Sequence, residues 1–126
     1  MTTKRILIID DEYDIRAVAQ LTLKTVAGWN VLIAASGAEG LRQAADEQPD
    51  VILLDVMMPD MDGIETFRAL QANPATQSIP VILMTAKVQA SEQRQFAELG
   101  VAGIIPKPFK AMKLPGQIAK TLGWDE

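Results

Sequence analysis

The sequence predicts an α/β protein built around a doubly wound, five-stranded parallel sheet. Short aliphatic runs alternate five times with segments whose apolar residues recur at helical spacing. The runs contain few polar residues, as expected of parallel strands that are buried on both faces. The connections are short and rich in turn residues, which favours successive βα units packed on both sides of one sheet.

The first part of the chain predicts two strands joined by a helix. Strand 1 covers about residues 4–9, and strand 2 covers Asn30–Ala34. The helix between them, about 13–27, ends before Gly28, a residue that favours a helix C-terminus. Its inner face is expected to carry apolar residues at helical spacing: Ile15, Val18, and Leu21 or Thr22.

The second helix is predicted from a capping box, since Ser36 precedes Glu39 by three residues. Its inner face is expected to include three residues: Ala38, Leu41 and Ala45. Pro49 and Asp50 introduce strand 3, which ends at Asp55. Proline and glycine then mark a loop over 57–63.

The rest of the chain continues the alternation of helix and strand. The third helix is indicated by apolar residues at helical spacing, Ile64, Phe67 and Leu70, and ends at Asn73-Pro74; strand 4 follows Pro80. The fourth helix covers about 91–99, with Phe96 and Leu99 on its inner face, and strand 5 covers about 103–106. The last helix is indicated by Leu114, Ile118 and Leu122. Ser91 is expected to cap the fourth helix, and Gly100 to end it. The last helix begins near Leu114, because Pro115 is tolerated only in a first turn.

Composition and charge describe one globular domain. A chain of 126 residues is long enough to bury about two thirds of its unfolded surface. The formal net charge of -4 argues against binding to phosphate backbones. The absence of cysteine suits a reducing compartment. The apolar run Ile6–Ile9 is too short for a signal peptide, and no segment approaches the roughly 20 apolar residues of a membrane span. We therefore expect a soluble, cytoplasmic domain.

Polar side chains stand where four of the predicted strands end. Asp10 and Asp11 follow strand 1, Asp55 ends strand 3, Thr85 ends strand 4 and Lys107 follows strand 5. Ligands of open parallel sheets bind outside the carboxyl ends of the strands. These side chains are therefore expected to meet at one edge of the sheet.

The three carboxylates at this edge indicate a cation. Taken singly, Asp11 could cap the first helix and Asp55 the turn after strand 3. Together, however, the carboxylates repel one another unless a cation is present. Carboxylate oxygens suit Mg²⁺, which keeps several waters and shares a substrate phosphate. A carboxylate beside such an ion can also act as a nucleophile on phosphorus.

Lys107 and Thr85 complete the predicted site. Most lysines are solvated, and threonine is common in strands, so neither residue type is informative by itself. Their positions at strand ends are what indicates a role in the site. The ammonium of Lys107 could pair with Asp55 and then with a transferred phosphoryl oxygen, and the hydroxyl of Thr85 could donate to a phosphoryl group on Asp55.

Four motifs in order resemble the receiver domain of bacterial two-component response regulators. They are Ile8-Ile9-Asp10-Asp11-Glu12, the stretch from Leu53 to Gly63 (Leu-Leu-Asp-Val-Met-Met-Pro-Asp-Met-Asp-Gly), Met84-Thr85-Ala86, and Pro106-Lys107-Pro108-Phe109. The match covers nearly the whole chain. The resemblance implies a flavodoxin-like sheet of strand order 2-1-3-4-5 flanked by five helices.

The resemblance also implies a role for each site residue. Asp55 would be the phosphoacceptor, Asp11 would bind Mg²⁺ directly and Asp10 through water. The main-chain carbonyl of Met57 would supply a further ligand. Two roles remain: Thr85 would be the switch hydroxyl, and Lys107 would bind the phosphoryl group and precede a cis peptide bond to Pro108.

The sequence departs from the family pattern at three positions. Ile104 stands where the family often has an aromatic residue that swings inward on activation. Met57 and Lys87 stand where the family tunes phosphoryl lifetime. A methionine cannot orient a hydrolytic water, so Met57 favours slow self-hydrolysis, whereas Lys87 could act in either direction.

Competing functions fit the sequence less well. A flavodoxin-like electron carrier needs a loop rich in serine, threonine and glycine after strand 1, but acidic residues occupy that loop. Aspartyl phosphatases usually carry a second aspartate two residues after the first, where this chain has Met57. A phosphorylation-independent interaction module of the same fold is the remaining alternative, together with a receiver fragment of a longer multidomain regulator or hybrid kinase.

We interpret the sequence as a single receiver domain over residues 1–126. It is expected to accept a phosphoryl group from a sensor histidine kinase or a histidine phosphotransfer protein, assisting the transfer without being a turnover enzyme. Because the sequence ends at Glu126, we expect output by protein contact through helix 4, strand 5 and helix 5. No nucleic-acid or membrane partner is expected.

Overall fold

A five-stranded, all-parallel sheet forms the centre of the computed structural model, which describes residues 3–86 and 89–124. The strand order β2-β1-β3-β4-β5 confirms the predicted doubly wound sheet. The strands are β1 (Arg5–Ile9), β2 (Asn30–Ala34), β3 (Val51–Asp55), β4 (Val81–Thr85) and β5 (Gly103–Pro106).

Helices cover the sheet on both sides. They are α1 (Tyr13–Ala27), α2 (Gly37–Glu47), α3 (Gly63–Ala72), α4 (Ala90–Glu98) and α5 (Leu114–Leu122). A 3-10 turn, Ala111–Lys113, leads into α5, and Pro115 lies in the first turn of that helix as predicted. Within the described parts of the chain, no helix is both long and apolar enough to cross a membrane.

The side chains of β1 alternate between two cores. Leu7 and Ile9 pack with residues of α2, α3 and α4, whereas Ile6 and Ile8 pack with residues of α1 and α5. All four side chains are fully buried. Burying an aliphatic side chain of this size stabilises a fold by roughly 1.5–3 kcal/mol. The strands are therefore firmly held, and so are the polar residues at their carboxyl ends.

The inner face of α1 differs from the predicted one. Val18 and Leu21 are 46% and 63% exposed, whereas Ala19, Thr22 and Leu23 are buried. Apolar residues lie on most sides of α1, so their spacing alone did not show which of them pack on the sheet. Of the predicted inner residues, Ile15 is half-buried and Thr22 is buried.

The inner face of α2 agrees with the prediction only in part, since Leu41 packs against the core but the fully buried residues lie one position earlier than predicted. Gly37, Gly40 and Ala44 are buried, whereas Ala38 is exposed and Leu41 and Ala45 are half-buried. A Cβ atom at Gly40 would collide with the side chain of Ile9. The helix therefore lies closer to the sheet than larger residues would allow, and its contact face is formed by the smallest ones.

Two predicted helix caps have different outcomes. The hydroxyl of Ser36 accepts a hydrogen bond from the Glu39 N–H at 3.2 Å, as the capping prediction required. Ser91 does not cap α4, because the helix already begins at Ala90 and Gln89 occupies the cap position without a side-chain bond. A reciprocal capping box between Asp62 and Glu65, which was not predicted, opens α3.

Candidate functional site

The register of the sheet brings the predicted polar residues to one edge. Ile9 pairs with Leu54, so Asp10 follows β1 at the level of Asp55. Thr85 pairs with Pro106 at the ends of β4 and β5, immediately before Lys107. Asp10, Asp55 and Thr85 are all but inaccessible to solvent, and the Lys107 side chain is 14% exposed.

Lys107 joins the carboxylates of two different strands. Its ammonium nitrogen lies 2.8 Å from Asp10 Oδ2 and 3.1 Å from Asp55 Oδ1. Glu12 Oε1 is 3.7 Å away on the exposed side. The Lys107 N–H donates to the Thr85 carbonyl at 2.8 Å, and the Lys107–Pro108 bond is cis. Removing one partner of such a buried ion pair would leave an uncompensated buried charge, so these groups depend on one another.

Four carboxylates form an acidic cluster beside this lysine. Asp10, Asp11, Glu12 and Asp55 each offer one oxygen, and these oxygens lie within 4.8 Å of one another. Glu12 was not among the predicted metal ligands. The signal for it was in the sequence, since it extends the acidic run at the end of β1.

Hydrogen bonding shows that Asp11 does not cap α1. The cap position belongs to Glu12, which makes no side-chain cap bond. The Glu12 N–H instead donates to Asp10 Oδ1 at 2.9 Å. Asp11 remains exposed at the mouth of the cluster, so the alternative of a purely structural role as a cap is not supported.

Asp55 carries one oxygen that its surroundings leave unsatisfied. Its Oδ2 is buried and has no hydrogen-bond partner among the described residues. Leaving a buried carboxylate oxygen without a donor is costly. A hard cation would satisfy it, and the oxygen-only donor set of this cluster fits Mg²⁺.

The electrostatic environment shifts the pKa of both central groups. The pKa of Asp55 is raised from 3.8 to about 6, because burial and the nearby charge of Asp10 together outweigh the opposite effects of Lys107 and the Met57 N–H. For Lys107, burial lowers the pKa, but hydrogen bonds and charge from Asp10 and Asp55 outweigh it, so the pKa is raised. Lys107 is therefore a permanent cation in this site.

The loop after β3 is shaped by Gly63. A Cβ atom at this position would collide with the carbonyl oxygen of Asp55. The Gly63 N–H donates to the Val56 carbonyl at 2.9 Å, which brings the start of α3 against the end of β3. The side chain of Met57 is 60% exposed on this loop. Only glycine allows the helix to press on the backbone of Asp55.

Ile104 and Lys87 are two of the three positions at which the sequence departs from the family pattern. Ile104 is half-buried and packs against the core formed with α2, α3 and α4. Lys87 lies outside the described residues.

The doubly wound sheet, with an acidic cluster and a lysine at its carboxyl edge, defines a phosphoacceptor class of signalling domain. A family model for the response regulator receiver domain matches residues 6–119, and the chain belongs to this family, the receivers of two-component systems. The acidic cluster is consistent with the Mg²⁺ that receiver domains generally use.

Curated relatives extend well beyond the matched region. The alkaline phosphatase synthesis transcriptional regulatory protein PhoP of Bacillus subtilis is 34% identical over 94% of this chain and 48% of its own length. The phosphate regulon transcriptional regulatory protein PhoB of Pseudomonas aeruginosa is 37% identical over 97% of this chain and 53% of its own. The chain thus spans about half the length of these relatives.

Solved structures of similar size share the whole fold. The chemotaxis response regulator CheY4 of Vibrio cholerae superposes with a TM-score of 0.88 at 30% identity, covering 95% of this chain and 99% of that one. A response regulator from Desulfuromonas acetoxidans gives a TM-score of 0.85 at 28% identity, covering 95% and 97%.

Proposed function

We propose that Asp55 accepts a phosphoryl group from a phosphohistidine of a sensor histidine kinase or a histidine phosphotransfer protein. The observation that carries the proposal is the buried Oδ2 of Asp55, which has no hydrogen-bond partner in the described part of the chain and lies next to an oxygen already paired with Lys107. One carboxylate oxygen is thus held by a cation while the other is free to react.

The transfer is a displacement at phosphorus. A carboxylate oxygen of Asp55 forms the new O–P bond, the N–P bond of the phosphohistidine breaks, and its electron pair returns to the imidazole nitrogen. Asp55 must be ionised to react, which fits a site that keeps Lys107 at 3.1 Å. Lys107 and the Thr85 hydroxyl then stabilise the charge on the transferred phosphoryl oxygens.

Mg²⁺ is the proposed cofactor of the transfer. Asp10, Asp11, Asp55 and the main-chain carbonyl of Met57 are the proposed ligands, with Asp10 acting through water, and Glu12 is a further carboxylate of the same cluster. When bound, the ion neutralises the carboxylates and stabilises negative charge on the phosphoryl group. This role would reduce the repulsion among the carboxylates that share this edge of the sheet.

The domain is not proposed as a turnover enzyme. Its own residues position the reacting groups and supply charge, which assists phosphorylation and the later hydrolysis of the acyl phosphate. The side chain of Met57 cannot bind a hydrolytic water by a strong hydrogen bond, so slow hydrolysis is expected.

We infer that the signal leaves by protein contact through the face formed by α4, β5 and α5. Residues 1–126 would then act as a single receiver domain in the cytoplasm, with no nucleic-acid or membrane partner. A second candidate is favoured by the length of the curated relatives, in which the matched region is about half of a transcriptional regulator. In that case the same domain would control an attached output module.

The decisive experiment is phosphorylation with a small acyl phosphate and Mg²⁺, followed by intact-mass analysis. Wild type should gain one phosphoryl group, and Asp55→Asn should gain none. Asp60→Asn is a matched control, because Asp60 is an exposed carboxylate in the neighbouring loop. Labelling that persists in Asp55→Asn would contradict the assignment, and a wild type that is never labelled would favour the phosphorylation-independent module.

A further inference from the structure

Arg16 binds the main chain of the loop that carries the acidic cluster. Its half-buried guanidinium donates to the carbonyl of Asp10 at 2.7 Å, and its backbone N–H donates to the carbonyl of Glu12 at 3.2 Å. Arg16 is the fourth residue of α1, near the end of the helix at which the macrodipole disfavours a cation. An arginine at this unfavourable position indicates that its side chain has a role in the loop.

The bond from Arg16 completes a set of contacts that hold Asp10 on every side. The Asp10 N–H donates to the carbonyl of Ala34 at 3.1 Å. Its Oδ1 accepts the Glu12 N–H at 2.9 Å, and its Oδ2 pairs with Lys107 at 2.8 Å. Asp10 is therefore a fixed point of the site, and its carbonyl is fixed by Arg16.

The side chain of Asp11 has no such contacts of its own. It is exposed, and across residues 3–86 and 89–124 it has neither a hydrogen-bond donor nor a salt-bridge partner. One of its oxygens nevertheless lies within 4.8 Å of carboxylate oxygens of Asp10, Glu12 and Asp55. The main chain must therefore place this carboxylate in the cluster.

The carbonyl that Arg16 binds belongs to the peptide unit that joins Asp10 to Asp11. A peptide unit is planar, so a bond that fixes its oxygen also fixes the plane that contains the nitrogen and the Cα atom of Asp11. The direction in which Asp11 projects its carboxylate therefore depends on the bond from Arg16.

We propose that Arg16 is a positioning residue for the metal site: through the carbonyl of Asp10 it holds Asp11 where the Asp11 carboxylate can bind Mg²⁺. This inference rests on the Mg²⁺ site of the proposed function and adds to it a residue outside the acidic cluster. Residues that orient metal ligands from behind commonly contribute about tenfold or more to metal affinity.

The sign of the effect separates positioning from simple charge. A guanidinium beside the cluster repels a divalent cation, so removing its charge would strengthen Mg²⁺ binding if charge were its whole effect. Removing a residue that positions Asp11 weakens Mg²⁺ binding instead. Arg16→Met removes both the charge and the donor and keeps a long, unbranched side chain, so it tests the two possibilities against each other.

Titration of the full chain with MgCl₂, followed in ¹H–¹⁵N spectra through the amides of residues 10–12, measures the apparent Kd. Arg16→Met should raise this Kd about tenfold. Arg16→Lys should bind Mg²⁺ more tightly than Arg16→Met, because an ammonium can still donate a single bond to the carbonyl. Lys24→Met removes an exposed charge from the last turn of α1 and should keep the Kd of wild type.

A second measurement needs no metal. In EDTA, the ¹⁵N order parameters of residues 11 and 12 should fall in Arg16→Met but not in Lys24→Met, while those of β1 stay unchanged in both. Arg16→Gln, which has a shorter and neutral side chain, should change the Kd and the order parameters in the same directions. It takes the place of Arg16→Met if that variant loses the spectrum of the folded protein.

Two results would overturn the positioning role of Arg16. One is Mg²⁺ binding by Arg16→Met that is as tight as in wild type or tighter, and the other is unchanged order parameters at residues 11 and 12. Failure of the proposed function would look different, because wild type itself would then show no Mg²⁺ binding, and the inference would fall with it.

Discussion

The ammonium nitrogen of Lys107 lies 3.1 Å from Asp55 Oδ1, although one residue follows the last strand of the sheet and the other ends its central strand. The same nitrogen lies 2.8 Å from Asp10 Oδ2. A single cationic side chain thus holds two buried carboxylates. The stability of the domain should depend on the ionisation of these groups.

Asp55→Asn should stabilise the metal-free domain at neutral pH by about 2 kcal/mol, because it removes a buried charge whose pKa is raised to about 6. A carboxyl whose pKa is raised in the folded state contributes stability below its unfolded pKa, and this stability is lost as the pH rises through the folded value. The difference between variant and wild type should therefore vanish below about pH 4. Urea unfolding in EDTA across this range checks the prediction, and a difference that does not change with pH would contradict it.

Lys107→Met should destabilise the metal-free domain at pH 7 by about 3 kcal/mol, because it leaves the carboxylates of Asp10 and Asp55 buried without a cation. The loss should shrink at low pH, where the carboxylates are protonated. Lys110→Met, at an exposed lysine of the same loop, should change the free energy of unfolding by less than about 0.5 kcal/mol. Equal losses in the two variants would show that the ion pairs are not important for stability.

Asp11→Ala should abolish phosphorylation by the acyl phosphate while leaving the domain folded. The Asp11 side chain is exposed and does not cap α1, so its removal costs little and relieves repulsion within the cluster. Thermal melts should show that Mg²⁺ raises the Tm of wild type but not of the variant, with millimolar binding corresponding to about 4 kcal/mol. A clearly lower Tm of the variant in EDTA would favour a structural role instead.

Phosphorylation should draw the Thr85 hydroxyl towards Asp55 and perturb residues 85–91. Ile104 has no polar tip to gain from an inward movement, so a smaller change is expected there. Amide chemical shifts with and without a phosphoryl mimic measure this response, and Thr85→Val should remove it. Shift changes confined to the loop over 57–63 would mean that Thr85 is not coupled to the site.

Gly63→Ala should destabilise the domain by about 2 kcal/mol or more and slow phosphorylation, because the added Cβ collides with the Asp55 carbonyl and must displace the backbone. Gly116→Ala is the matched control. A Cβ there meets no atom within 4 Å, so the better helix former should stabilise α5 by about 1 kcal/mol. Denaturant unfolding measures the free energy of unfolding of both variants. If Gly63→Ala were as stable as wild type, the loop after β3 could shift to accommodate the added methyl group.

The sequence by itself determined the strands and the edge at which the site lies. Parallel strands that are buried on both faces are aliphatic along their whole length, so each strand and its end can be recognised as one continuous apolar run, such as Val51–Asp55. A polar residue that directly follows such a run is placed by chain connectivity alone. For this reason Asp10, Asp55, Thr85 and Lys107 could be assigned to one edge, and the structure brings them there.

Only the tertiary structure decided which helix residues face the sheet and how the charges pair. The inner stripe of α2 consists of glycine and alanine because the helix lies close to Ile9, and no periodicity of apolar residues reveals so close an approach. The contact of Lys107 with Asp10 at 2.8 Å depends on how far β1 and β5 are separated across the twisted sheet. Distances of this kind depend on the packing of the whole chain, and local sequence patterns do not contain them.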